Sequence, residues 1–545
     1  MIEYAIRGGK YYWSWIALLA VIIALGGASY YYQYQNGLTV TGMSKEVSWG
    51  LYIGNFTFLV GVAASAVIVV LPAYLYDYKK FKKVTTIGEF LGASAVIMCI
   101  LFILVDLGRP DRVLNVVLNP RPSSVMLYDF IVLSVYFMLN IVIAWTVLAF
   151  REKNKGYTTW LKILIFIAIP WAISIHTVTA FLYGGLVGRP FWNTALMAPR
   201  FLAGAFASGP SLLIISLLAI RKYTNFDPGY DAIKKIGDIV AFAMVANLFI
   251  IGCELFTVFY SAHPHHLEYF TYILFGLKEG ESVYSRFVPW IWTSLILGII
   301  SAIMLVVPKV RNEARYLAIA CGLVFISVWM EKGLGLIVPG YIPSQWGPVV
   351  EYWPTIPESL IALGVWGVGI LAFTILAKVA IGVTLETEKI EEEIVEEEKV
   401  VEEVEEVVEE EKEYRCELCD AVFKSLDECC EHAEKEHNIA KASCDMACIE
   451  VAPAEKQYKC ELCDAVFTNL DECCEHAEKE HKIAKASCDM VCVEAEETPA
   501  EPEKQYKCEL CDAVFTNLDE CCEHAEKEHK IAKASCDMVC SEVEE

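Results

Sequence analysis

Three stretches toward the C-terminal end repeat one spacing of metal-binding residue types, Tyr-x-Cys-x2-Cys-x3-Phe-x8-His-x4-His, with first cysteines at 416, 460 and 508. The candidate ligands are Cys416, Cys419, His432 and His437, then Cys460, Cys463, His476 and His481, then Cys508, Cys511, His524 and His529. Two thiolates on a tight knuckle and two imidazoles on a following helix form the closed tetrahedral set that Zn2+ prefers. Tyr414 and Phe423 would supply the small core of the first copy. A second group of reactive residues is scattered through apolar sequence: Asp106, His176, Arg189, Arg200, Glu254, Glu331 and Lys332. Carboxylates and imidazole can move protons, and His176, Arg189 and Arg200 can donate hydrogen bonds to a carbonyl oxygen. Ionisable groups inside apolar segments are costly and mark sites or pathways. The bland alternative pairs Lys332 with Glu331 or Glu254 and lets the arginines reach toward lipid headgroups.

The elements that must position these two groups differ in kind, because the chain changes character near Thr384. Before it lie ten apolar segments, at roughly 11–32, 50–76, 86–106, 125–149, 159–183, 195–220, 235–260, 285–307, 315–337 and 357–384. A bilayer core takes about 20 apolar residues per helix, and backbone in lipid must satisfy its own hydrogen bonds. The expected fold is therefore an all-α polytopic membrane protein of ten transmembrane helices, residues 1–384, with three small ββα zinc-finger modules on a tail. The first apolar run is read as a retained helix rather than a cleaved signal. The net charge of −25 belongs mostly to the tail, while the 56 % hydrophobic content belongs to the membrane part.

Loop charge sets the expected orientation. One face carries sixteen Lys and Arg, among them Lys79, Lys80, Lys82, Lys83, Arg221, Lys222, Lys234 and Lys235, against eight on the other. The richer face is expected to be cytoplasmic, which with ten spans puts both termini in the cytoplasm of a cell-membrane protein. The poorer, outer face bears Asp106-Leu-Gly-Arg109-Pro-Asp111-Arg112, Gly188-Arg189-Pro190-Phe191-Trp192 and His263-Pro-His265-His266. At 1.5 Å per residue, His176, Arg200, Glu254, Glu331 and Lys332 all fall within roughly 10 Å of it. His176 is the sole histidine well inside a span, which argues against a bis-histidine haem. With neither Cys-x2-Cys-His nor a ferredoxin-like cysteine run in the sequence, no haem or iron-sulfur cluster of its own is expected.

Several stretches carry a resemblance: Thr41-Gly-Met-Ser44, Val47-Ser-Trp49-Gly50-Leu-Tyr52, Asp106-Leu-Gly-Arg109-Pro, Gly188-Arg189-Pro-Phe-Trp192, Pro199-Arg200-Phe201, Met330-Glu331-Lys332-Gly333 and Val338-Pro-Gly-Tyr341-Ile-Pro343-Ser344. In this order they resemble the NrfD/polysulfide-reductase membrane-subunit family, and most of all the ten-helix DsrP-type subunit of a complex associated with dissimilatory sulfite reduction. The resemblance covers about residues 1–384. It implies a cofactor-free subunit that binds menaquinone or menaquinol near the outer face and exchanges electrons with an iron-sulfur partner, with cytochrome subunits in the same complex. From chemistry rather than from the family, His176, Glu254, Glu331 and Asp106 are the candidate proton-handling groups, and His176, Arg189 and Arg200 the candidate quinone donors. Two other classes stay open: an ion or solute transporter, which would need a midplane site with broken helices, and a membrane anchor whose tail recruits a partner.

Residues 385–413 read as a solvated, self-repelling acidic linker, with a short helix or weak coiled coil on Ile394, Val401 and Val408 as the alternative. The fingers are placed at 414–448, 458–492 and 506–540. Each also holds Cys429, Cys430, Cys444 and Cys448 or their equivalents. These four are read as reduced thiols or a second metal site, a cytoplasmic location disfavouring disulfides. From Tyr414 to Lys441 there are four Lys or Arg against seven Asp or Glu. Phosphate contacts supply most nucleic-acid affinity, so no nucleic acid is expected, and an unknown cytoplasmic protein is the expected partner.

Overall fold

The computed structural model describes residues 2–63, 81–152, 158–344 and 349–410. In the tail it describes 413–439, 444, 447–451, 458–460, 462–463, 465–467, 469–481, 492–494, 506–508, 510–511, 513–515, 524, 527–528 and 540–542. Two compact units emerge, Met1–Glu397 and Glu398–Glu545.

In the first unit, apolar composition and the demand for internal hydrogen bonding give long helices. They are α1 (Lys10–Asn36), α2 (Leu51–Ala63), α3 (Lys82–Asp106), α4 (Val125–Glu152), α5 (Thr159–Gly184), α6 (Met197–Tyr223), α7 (Tyr230–Ser261), α8 (Pro264–Phe275), α9 (Val288–Val306), α10 (Ala314–Lys332) and α11 (Ile356–Glu410). Among the described residues nine helices are long and apolar enough to cross a membrane, and the shorter Leu51–Ala63 is the described part of the expected second span. The rest of that span, 64–76, lies outside the described residues. A small hairpin, β1 (Leu277–Glu279) with β2 (Ser282–Tyr284), joins α8 to α9.

The core sits around α2, in which every residue is buried. It packs against α3, α5, α6 and α10. By contrast α1 is peripheral, with 11 % of its apolar window buried. It reaches α11 through facing glycines: a Cβ on Gly26 would stand 2.6 Å from the Gly364 Cα. Small residues allow this approach where lipid gives helices little hydrophobic reason to associate.

The backbone of α11 runs on helically through Glu410. The backbone is thus helical over most of the acidic linker.

In the second unit, β3 (Glu413–Cys416), β4 (Val422–Phe423), α12 (Leu426–His437) and β5 (Cys448–Val451) form the first repeat. Ser425 caps α12, its hydroxyl accepting from the Glu428 N–H at 3.2 Å, and Asn438 closes it in the left-handed conformation with φ 57°. That is the Ser-x-x-Glu start signal at work. β6 (Tyr458–Cys460), β7 (Val466–Phe467), α13 (Leu470–His481) and β8 (Cys492–Glu494) repeat the plan, and β9 (Tyr506–Cys508), β10 (Val514–Phe515) and β11 (Cys540–Glu542) supply the strands of the third copy. Each sheet has three strands, in the order β4-β3-β5 and its equivalents. The expected ββα unit is therefore extended by a third strand on the free edge of the hairpin.

Candidate functional site

Three places in the membrane unit bring together residues singled out from sequence or set beside them. The first is an ion cluster built by α6, α7 and α10. Arg200 Nε donates to Glu331 Oε1 at 2.7 Å, a second guanidinium nitrogen meets the same oxygen, and Nη1 donates to Glu254 Oε2 at 2.5 Å. All three side chains are less than a tenth exposed. One cation facing two carboxylates leaves a negative excess, and buried Lys332 is adjacent in sequence to Glu331. Its ammonium donates to the Phe201 carbonyl at 2.5 Å and lies 5.1 Å from that ring centroid. Among the described residues it meets that carbonyl rather than Glu331 or Glu254, so the simple pairing considered from sequence is not formed. Gly204 makes the room: a Cβ there would stand 2.3 Å from Lys332 Cε. Arg200 thus pairs both desolvated carboxylates, the condition under which buried charges persist, and the Lys332 ammonium is hydrogen-bonded beside them. His176 on α5 is buried too, with both ring nitrogens lacking a hydrogen-bond partner among the described residues, and so is Asn247 Oδ1 on α7.

The second place is aromatic. Trp49 and Trp192 stack at 5.9 Å, and Tyr341 stands edge-on to both at 6.0 and 5.3 Å. Trp192 Nε1 donates to the Leu336 carbonyl at 2.8 Å. Arg189 lies here, its Cζ 4.3 Å from the Tyr341 ring centroid, and not in the ion cluster. Three of the motifs singled out from sequence thus converge on one patch.

The third place lies where α1 and α3 end and α2 and α11 begin. Gln33 Nε2 donates to the Val105 carbonyl at 2.7 Å and its Oε1 accepts from the Tyr52 hydroxyl at 2.6 Å. Fully buried Glu358 accepts from the Gly42 N–H at 2.9 Å, the Leu51 N–H at 3.2 Å and the Tyr352 hydroxyl. A cleft of about 260 Å³ opens beside them, lined by Tyr30, Gln33, Tyr34, Leu107, Gly108 and Arg109 among others. Asp106 immediately precedes the lining pair Leu107 and Gly108, and its Oδ1 is buried without a partner among the described residues. Arg109 forks onto Asp111, which also lines the cleft, at 3.0 Å through two nitrogens. That guanidinium holds the exposed Asp111 carboxyl below the usual range.

Of the residues expected from sequence, Arg200, Glu254 and Glu331 come together, while His176, Arg189 and Asp106 occupy separate surroundings. The sequence reading missed Gln33, Tyr352 and Glu358, and had Tyr52 only as part of a resemblance motif. Glu358 carries the one available signal, a carboxylate at the very start of an apolar span.

In the tail, the ligand atoms of Cys416, Cys419, His432 and His437 lie within 4.8 Å of one another, as do those of Cys460, Cys463, His476 and His481 and those of Cys508, Cys511 and His524. His529 lies outside the described residues. Cys419 Sγ stands 3.0 Å from His432 Nε2, with the same distance at Cys463 and His476 and at Cys511 and His524. His437 Nε2 and His481 Nε2 are buried with no hydrogen-bond partner among the described residues. A convergent soft donor set with orphaned imidazole nitrogens fits a bound metal ion. Among the described tail residues outside the ligand sets, Cys429 pairs with Cys448, Cys430 with Cys444 and Cys473 with Cys492 as disulfides. The expectation of free thiols or a second metal site fails at these six positions, because each pair is brought face to face by the third strand and the segment leading to it.

Residues 39–343, which hold Asp106, His176, Arg189, Arg200, Glu254 and Glu331, match the profile of a family described as polysulphide reductase, NrfD. The chain belongs to that family. This NrfD protein is 26 % identical over 397 residues to a putative dimethyl sulfoxide reductase membrane subunit of Halobacterium salinarum, covering 66 % of this chain and 88 % of that one. It is 25 % identical over 401 residues to an Hdr-like menaquinol oxidoreductase integral membrane subunit of Archaeoglobus fulgidus, covering 71 % of this chain and 96 % of the relative. A menaquinone reductase integral membrane subunit of Nitratidesulfovibrio vulgaris matches at 22 % over 325 residues, 55 % of this chain and 74 % of the other.

Proposed function

We propose that the membrane unit is the quinone-reactive integral subunit of a respiratory oxidoreductase complex of the sulfur- or sulfite-metabolising type. It exchanges electrons between menaquinol or menaquinone and an iron-sulfur partner subunit, and carries no redox group of its own. The supporting observation is the cleft beside Asp106. Its volume of about 260 Å³ lies just under the usual range for small-ligand sites, so a ring headgroup fits with its tail left in lipid. Gln33, Tyr34 and Arg109 offer donors to quinone carbonyls, and Asp106 offers a carboxylate to receive a proton when quinol is oxidised. The second small cavity, lined by Arg200, Glu254 and Glu331, has only about 30 Å³. That is room for water but not for a ring, so Arg200, Glu254 and Glu331 fit better as relays away from the ring than as its ligands, and His176, which lines neither this cavity nor the cleft, is also placed away from the ring. Arg189, engaged on Tyr341, fits as a positioning residue.

Ten spans with both termini in the cytoplasm, and a cell-membrane location, complete the reading. The tail holds three zinc ions through its Cys2His2 sets and serves as an accessory module for protein contacts. The sharpest test is purification of the native complex through this chain, followed by identification of its co-purifying subunits and its bound quinone. Absence of both an iron-sulfur subunit and quinone defeats the proposal.

A further inference from the structure

Four cysteines of each repeat are unused by its metal-ligand set. In the first repeat they are buried and joined as Cys429–Cys448 and Cys430–Cys444, with Cα separations of 6.1 and 5.3 Å. Cys473–Cys492 repeats the first bridge, and Cys474 is disulfide-bonded as well. Both kinds of bridge leave from the helix that carries the histidine ligands, three and two residues before His432. Cys448 lands in a telling position. In the β3–β5 register it stands directly opposite the metal ligand Cys416. Cys492 stands opposite Cys460 and Cys540 opposite Cys508 in the same way. The Cys429–Cys448 bridge therefore ties the histidine-bearing helix to the strand beside the first metal thiolate, around the metal-ligand set.

That strand is three or four residues long and lies on the sheet edge. It can peel from β3 without breaking the hairpin that carries the cysteine ligands, and peeling exposes the bridge.

We propose that each tail repeat is a thiol–disulfide site coupled to its metal: exchange with a dithiol of the surroundings opens Cys429–Cys448 and its counterparts and loosens the hold on the ion. One thiolate of the dithiol attacks a bridge sulfur, the Cys429–Cys448 bond breaks and a mixed disulfide forms. The second thiol of the reductant then resolves it. Two electrons and two protons pass to Cys429 and Cys448, and the reductant leaves as its own disulfide. Cys416 and Cys419 keep their oxidation state throughout. In a reducing cytoplasm the bridges are transient and the repeats report the thiol balance. In an oxidising compartment they persist.

The inference rests on the reading that the Cys2His2 sets hold zinc, and the test separates the two. The full-length chain is purified in detergent without reductant, its zinc content measured, its free thiols alkylated on acid quench, and its peptides mapped unreduced. The expected result is three zinc ions per chain, one per Cys/His group, with Cys429–Cys448 and Cys473–Cys492 recovered as linked peptides. Zinc release to a chromogenic chelator is then compared between wild type and the C448A/C492A/C540A variant. It is expected to be at least about tenfold faster in the variant, since each bridge closes a loop of 19 residues. Wild type reduced with a phosphine and desalted should match the variant, which guards against a folding defect of the substitutions. Bound zinc with all these cysteines alkylated overturns the inference and leaves the zinc reading intact. Linked peptides with unchanged release in both comparisons overturn the coupling. Linked peptides without zinc overturn the zinc reading and the coupling with it.

Discussion

Arg200 and Glu254, fifty-four residues apart in sequence, are joined at 2.5 Å in the interior of the membrane unit, and the same guanidinium holds Glu331. One side chain thus clamps three helices, α6, α7 and α10. Its removal strands two carboxylates in a desolvated setting. An R200M variant should lose about 3–5 kcal/mol of stability, read as a marked drop in the unfolding midpoint of the detergent-purified protein. The triple variant R200M/E254Q/E331Q should recover part of that loss, because no stranded carboxylate remains. An R200M protein as stable as wild type would show that the cluster is not a structural clamp.

Glu358 organises the other polar centre, joining the start of α2 to the start of α11 through the Leu51 N–H, the Gly42 N–H and the Tyr352 hydroxyl. An E358A substitution leaves those donors buried and unpaired. The cost should be about 3 kcal/mol, and E358Q, which keeps acceptor oxygen, should cost less. Thermal unfolding of the two variants side by side checks the order.

How far the sequence foretold these centres varies by residue. The spans were legible because lipid imposes length and apolar composition on each helix. The Cys/His ligands were legible because tetrahedral coordination imposes local spacing. Arg200, Glu254 and Glu331 were visible as charges in apolar runs, but their mutual contact was not, since it depends on how α6, α7 and α10 pack. Gln33 carried no signal, for a polar amide near a helix end is ordinary until a partner helix is placed. The third strand of each repeat was missed because the four extra cysteines read as reduced thiols or a second metal site, and the pairing of Cys448–Val451 with Glu413–Cys416 depends on the fold of the repeat.

Gly26 and Gly364 let α1 and α11 touch backbone to backbone. A G26L substitution should force the helices apart at a cost of about 1–3 kcal/mol. A disulfide engineered across the α1–α11 contact should form readily in the parent protein and poorly with Leu at position 26. Equal cross-linking would mean the approach is not needed.

On the proposed reading each Cys2His2 set holds its own zinc ion. Replacing His437 by Ala should lower the zinc content from three ions per chain to two and leave the other two groups filled. Elemental analysis of the purified chain measures this. Loss of all three ions would indicate that the repeats fold as one cooperative body, and loss of none that the orphaned His437 nitrogen is not a ligand.

The central claim is that Asp106 and its cleft handle menaquinol. The decisive measurement is menaquinol oxidation by the complex purified through this chain, wild type against D106N, with assembly checked by subunit content. The account predicts quinol turnover in the wild type and a fall of about 100-fold in D106N, with the complex intact. A wild-type complex that neither binds nor oxidises menaquinol, or a D106N complex that turns over at the full rate, contradicts it.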